Sequence, residues 1–143
     1  MVAGAVAPDS GSMPRRPDSE VVPTRKSLHL AAEVVAAEVA EWFRLGRESL
    51  DVWGVDVSAD EPSRPQIVPE HFDLGTTAGR VNYGFSPGDE AIAAPYVYIG
   101  PHDPPSDDPY WNASFGAYRT WDEITSVEDA LAFFRAGRRV LGR

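Results

Sequence analysis

Two of the chain's three histidines sit near carboxylates, and these residues carry most of the chemistry the sequence could perform. His71, Asp73 and Ser86 fall in one span, PEHFDLGTTAGRVNYGFSPGDE, residues 69–90. An imidazole, a carboxylate and a hydroxyl are the parts of nucleophilic acyl transfer, where a base activates the nucleophile and an acid orients the base. Side chains two apart on a strand share a face and stand side by side, a poor geometry for orienting a ring nitrogen. Ser86 also opens a Ser-Pro-Gly-Asp turn, where a hydroxyl commonly caps backbone. The triad is disfavoured, and no catalytic residue is assigned. A metal is the second chemistry to weigh. His71, Asp73, Asp89, Glu90, His102 and Asp103 could supply nitrogen and oxygen ligands. Their spacing matches no standard motif, and two histidines are few for a transition metal. The acidic run HDPPSDD, 102–108, lacks the ligand alternation and glycine of a calcium loop. No metal and no cofactor are expected.

Binding without chemistry is the third reading. Tyr96, Tyr98, Tyr110, Trp111, Tyr118 and Trp121 crowd the C-terminal half. Amphipathic aromatics are enriched in ligand pockets and interfaces. Tyr96 and Tyr98 alternate with Val97 and Ile99, so that strand is apolar on both faces and calls for cover on both sides. The candidate binding residues are His71, Asp73, Arg80, Asn82, Ser86, Asp89, Tyr98, His102, Trp111 and Asn112.

These residues need a scaffold. Residues 1–25 read as a disordered tail, with four prolines among serines, glycines and charges. Residues 26–143 read as a single α+β domain. Ser27 is the expected cap of a long helix ending near Trp53. Its apolar stripe is Leu28, Ala31, Ala32, Val35, Val39, Trp42, Phe43, Leu50 and Trp53. Gly46 interrupts that stripe, which predicts either a bend or a close neighbour. QIVPEHFDLGT reads as one strand, with Val68, Phe72 and Leu74 facing the core and His71 and Asp73 facing away. RVNYGFS puts Val81, Tyr83 and Phe85 on the core face and Arg80, Asn82, Gly84 and Ser86 opposite. A Thr-Thr-Ala-Gly loop joins the two. Pairing Phe72 with Phe85 and Leu74 with Tyr83 sets Asp73 against Gly84, and a two-residue slip sets Asp73 against Asn82. Gly84 leaves a recess on the polar face. PYVYIGP is a third strand and YWNASFGAY a fourth. Thr125 and Glu128 form a capping box for a closing helix with Val127, Ala130, Leu131, Phe134 and Leu141 inward. The fold expected is a small antiparallel sheet of three to four strands packed against a long N-terminal and a C-terminal helix.

Composition narrows the partners. The 143 residues carry a net charge of −9, and residues 48–129 hold 16 acids against Arg64, Arg80 and Arg119. Such a surface repels phosphate backbones, so nucleic acid is not an expected partner. No apolar run reaches membrane-spanning length, and no basic start leads into an apolar run, so a cytoplasmic protein without a membrane partner is expected. Cysteine is absent, which removes disulfides, thiolate metal sites and cysteine nucleophiles.

The order of several stretches resembles a group of bacterial proteins, mostly actinobacterial, within a larger domain family of unknown function. The stretches are EWFRLG (41–46), PEHFDL (69–74), NYGFSPGDE (82–90), PYVYIGP (95–101), DDPYWNASFGA (107–117) and LAFFRAGR (131–138), so the likeness covers about residues 37–141. The group has no established activity, so the resemblance transfers no functional residue. Longer members have an additional β-rich N-terminal portion, and this chain resembles their C-terminal portion. Val68 and His102 stand where those relatives usually carry Trp. The missing portion implies an uncovered sheet face, hence self-association as a homodimer. The functional expectation is a non-enzymatic module that binds a small molecule or protein on a polar, aromatic sheet face. The alternative is a small metal-assisted hydrolase centred on His71, Asp73 and His102.

Overall fold

Alanine, glutamate, leucine and arginine dominate residues 25–56, and all four are strong helix formers. In the computed structural model, which describes residue 22, residues 24–104 and residues 107–143, this run is the helix α1, Arg25–Asp56. The reading of a disordered tail concerns residues outside the described ones, apart from Val22, Thr24 and the helical Arg25. The cap lies earlier than expected: the Ser27 amide donates to Thr24 Oγ1 at 3.1 Å, and the Ser27 hydroxyl donates to the Thr24 carbonyl at 2.9 Å. Ser27 is therefore the third residue of the helix, and Thr24 holds the cap.

The chain divides into two compact units, residues 1–35 and 36–143. In the first, the described helical turns leave Leu28, Leu30, Val34 and Val35 exposed, so the expected stripe does not become a core there. In the second, Trp42, Leu50 and Trp53 are buried with Gly46 and Ser49. Gly46 answers to a close neighbour: a β-carbon there would lie 2.8 Å from Cγ of Phe85. The helix can therefore lie directly on that ring, where van der Waals contact is densest.

Five antiparallel strands follow in simple meander order: β1 Gln66–Val68, β2 Asp73–Ala78, β3 Val81–Ser86, β4 Tyr96–Pro101 and β5 Ala117–Thr120. The extra strand arises because QIVPEHFDLGT is not one strand. Phe72 adopts φ 54°, and the Phe72 amide donates to the Val68 carbonyl at 2.7 Å, closing a tight turn between β1 and β2. Phe72 is 69% exposed there rather than in the core. The β2–β3 register also differs from both expected pairings: Leu74 faces Phe85, Thr76 faces Tyr83 and Ala78 faces Val81. The cause is a two-residue turn at Gly79-Arg80, both with positive φ, in place of the four-residue loop. The slip is even, so the expected faces survive. The fourth expected strand begins later than anticipated: Ala113 and Gly116 form only an isolated bridge, and regular pairing starts at Ala117.

One sheet face is the core. Val81, Tyr83, Phe85, Val97, Ile99 and Ala117 are each 0–1% exposed and pack against α1 and the closing helix α2, Val127–Val140. Trp53, Tyr83 and Phe134 form a ring cluster with centroids 5.2–5.3 Å apart. The α2 cap is Ser126, one residue past the expected Thr125. Its Oγ accepts from the Asp129 amide at 3.0 Å. Thr125 instead donates through its own amide to Asp129 Oδ2 at 3.0 Å.

Candidate functional site

Directly paired residues in an antiparallel sheet share a face. The register therefore places Asn82 and Ser86 of β3, Tyr96 and Tyr98 of β4 and Asp73 of β2 together, away from the helices. They floor a cavity of about 730 Å³. The turn after β3, with Asp89, Glu90, Ala91 and Ile92, makes one wall. His71 from the β1–β2 turn, His102 and Pro104 after β4, and Phe115 before β5 complete the rim.

The floor depends on glycine. Gly84 pairs with Gly75 on one side and Tyr98 on the other. The Tyr98 phenol crosses this glycine lane and hydrogen-bonds Oδ2 of Asp73. A β-carbon at Gly84 would fall 2.7 Å from Cε1 of Tyr98, and one at Gly75 would fall 3.4 Å from its hydroxyl. The recess expected at Gly84 is therefore filled by an aromatic ring from the next strand. Burial pushes the Tyr98 hydroxyl far above the ordinary phenol range, and its bond to Asp73 pushes the same way. Tyr98 thus stays a neutral donor.

Asp73 is only 7% exposed. Its Oδ1 is buried with no hydrogen-bond partner among the described residues. Leaving a buried acceptor unmatched costs about 1–3 kcal/mol, and more for a charged group.

Asp89 has the opposite character. Its Oδ1 accepts from the amides of Ala91 at 3.0 Å and Ile92 at 2.8 Å, and its Oδ2 accepts from the Tyr96 hydroxyl at 2.6 Å. The Tyr96 bond, then the backbone donors, hold its carboxyl below the usual aspartate range. Burial, followed by the bond to Asp89, raises the Tyr96 phenol to about 12. Ser86 behaves as its turn position suggests: Oγ accepts from the Gly88 amide at 3.1 Å.

Seven of the ten candidates line this cavity: His71, Asp73, Asn82, Ser86, Asp89, Tyr98 and His102. Three lie elsewhere. Arg80 occupies the β2–β3 turn and pairs with Asp103 at 3.5 Å, both exposed. Trp111 packs edge-on against Tyr110, with centroids 5.0 Å apart, at the margin of the helix-covered core. The Asn112 side chain donates to the Tyr118 carbonyl at 3.2 Å and accepts from the Tyr118 amide at 3.0 Å, holding the loop to β5. Sequence reasoning missed Tyr96, Ile92 and Phe115. Tyr96 shares the face of Tyr98 by parity and could have been found; Phe115 arrives from an irregular loop and could not.

His71, Asp73 and His102 share the cavity rim and floor. Among the described residues, however, no three of His, Asp or Glu come together closely enough to hold a metal ion. Among the described residues no helix is long and apolar enough to cross a membrane. A further concavity of about 530 Å³ lies between α1 and the segment before α2, lined by Trp42, Leu45, Trp121 and Ile124 with exposed glutamates. Arg44 and Thr125 also line it, and among the described residues it holds no buried side-chain polar atom left without a partner. Comparison with known proteins finds no matching family model, no matching curated protein and no matching solved structure.

Proposed function

We propose that the chain is a non-enzymatic binding module that takes a small molecule in the cavity over β2–β4. The observation that carries this reading is the cavity itself: about 730 Å³, walled by three aromatic rings, with polar groups converging on it. That volume is typical of small-molecule sites, which are mostly apolar with a few placed polar groups. The Tyr98–Asp73 and Tyr96–Asp89 hydrogen bonds fix two rings and two carboxyls of the site, so these groups are placed before any ligand arrives. Preorganisation of this kind reduces the ordering cost of binding.

A thermal-shift screen with small metabolites tests the proposal, since a ligand that binds only the folded state raises its apparent stability. Ile92→Trp serves as a control that fills the cavity mouth from a half-buried loop position. Ligands that stabilise the wild type and fail to stabilise Ile92→Trp support the reading. Equal shifts in both proteins place binding elsewhere and overturn it.

A further inference from the structure

We propose, resting on the reading of this cavity as a small-molecule site, that its ligand is an organic cation carrying N–H donors, such as a protonated amine or a guanidinium. Three independent features converge on that chemistry.

Charge comes first. Asp73, Asp89 and Glu90 line the cavity beside His71 and His102, and among the described residues no Lys or Arg does. None of the three acids belongs to a salt bridge with a Lys or Arg among the described residues. An excess of acids between low-dielectric walls concentrates counter-ions of positive sign.

Rings come second. Tyr96, Tyr98 and Phe115 form a triangle with centroids 6.0, 6.1 and 6.4 Å apart. A cation held within about 6 Å of a ring centroid is attracted by the ring quadrupole. A strongly hydrated inorganic ion gains little from such walls, whereas the apolar body of an organic ammonium buries against them.

The third feature separates N–H donors from fully alkylated cations. The two main carboxylates differ in spare capacity. Asp89 spends its oxygens on Tyr96 and on the turn amides. Asp73 is more than nine-tenths buried, has one oxygen engaged by Tyr98, and keeps Oδ1 unpartnered. Among the described residues nothing donates to that oxygen, so acceptor capacity is left over at the floor. The group that satisfies it best is a charged donor, because charge-assisted hydrogen bonds are roughly twice as strong as neutral ones. The assignment is therefore to Asp73 as anchor and to Tyr96, Tyr98 and Phe115 as the aromatic surface against which the cationic head lies.

Titration calorimetry on the full chain with three probes of one shape tests this: benzylamine, benzyl alcohol and benzoate. Benzylamine is expected to bind at least about tenfold tighter than benzyl alcohol, with benzoate weakest, as charge-assisted pairing requires. Tetramethylammonium, which has no N–H, is expected to bind more weakly than methylammonium. Asp73→Asn, confirmed folded by circular dichroism, is expected to erase the benzylamine preference. If that variant does not fold, the wild-type charge series decides alone. Equal or tighter binding of the alcohol or of benzoate overturns the cation class while leaving a small-molecule site in place. Saturable binding of magnesium or zinc that displaces benzylamine makes the cavity an inorganic-ion site and also overturns it. Absence of binding by every probe, together with equal metabolite shifts in wild type and Ile92→Trp, overturns both this inference and the reading beneath it.

Discussion

Replacing Gly84 with alanine probes the floor of the cavity through a single methyl group. Gly84 has no positive φ that would penalise a side chain, so the backbone accepts alanine. The obstacle is the Tyr98 ring, whose Cε1 would lie 2.7 Å from the new carbon, with Cζ and Oη closer still. The ring must move off the glycine lane, and the Tyr98 bond to Asp73 goes with it. Overpacking costs about 1–3 kcal/mol, and losing a hydrogen bond to a charged group about 1.5–3 kcal/mol. The two losses share one movement, so a net destabilisation of about 3 kcal/mol is expected. In a Tyr98→Ala background the three atoms nearest the new carbon are gone. There the same substitution should stabilise by roughly 0.5–1 kcal/mol, the ordinary advantage of alanine over glycine inside a strand. Urea unfolding of the four proteins measures the coupling directly. Equal costs in both backgrounds, or a Gly84→Ala single variant within about 0.5 kcal/mol of wild type, would refute the placement of Tyr98 over Gly84.

Other consequences are independent of that cycle. Ser126→Ala should cost about 1 kcal/mol in urea unfolding and more than Thr125→Ala, because Ser126 is the cap of α2. Trp42→Phe should cost about 1–3 kcal/mol, since it trims a buried ring and removes the indole N–H that donates to the Ser86 carbonyl at 2.9 Å. Arg80→Asn should leave ligand binding unchanged and match or slightly exceed wild-type stability, because asparagine tolerates the left-handed turn at φ 64° and the exposed pair with Asp103 contributes little. The tyrosines predict an alkaline limb. Burial above all raises Tyr96 to about 12 and moves Tyr83, Tyr98 and Tyr110 upward as well. Above the ordinary phenol range the unfolded chain releases these protons before the folded one does, so stability is full below that range and falls as pH rises through it. Absorbance at the phenolate band should show these rings titrating only as the protein unfolds; titration with the fold intact would contradict their burial.

How much of this was legible in the sequence follows from what alternation can and cannot encode. Val81, Tyr83, Phe85, Val97 and Ile99 alternate cleanly, and parity alone put them in the core and put Asp73, Asn82 and Ser86 on the opposite face. Any even slip preserves that division, so the face was readable while the register was not. The register depends on whether Thr76, Thr77 and Ala78 end the strand or form the loop, and Gly79-Arg80 proved able to turn the chain alone. Phe72 misled because its hydrophobicity fits a strand, whereas its left-handed backbone closes a turn. Thr125-Ser126 offers two good caps one residue apart, with Glu128 and Asp129 equally placed to answer them, so composition alone could not separate them. In the site, Gly84 announced open space, but only cross-strand geometry shows that Tyr98 fills it. Trp111 and Asn112 drew attention by residue type, and both serve the fold.

The central claim, that a small molecule docks over Tyr96 and Tyr98, is tested most directly by following backbone amide and tyrosine ring signals by NMR while methylammonium or benzylamine is added. The account predicts saturable shifts concentrated on Asp73, Asp89 to Ile92, Tyr96, Tyr98 and Phe115, with the α1 helix and Trp121 unmoved. Shifts gathered instead around Trp42, Leu45 and Trp121, or spread evenly over the acidic surface without saturation, would contradict it.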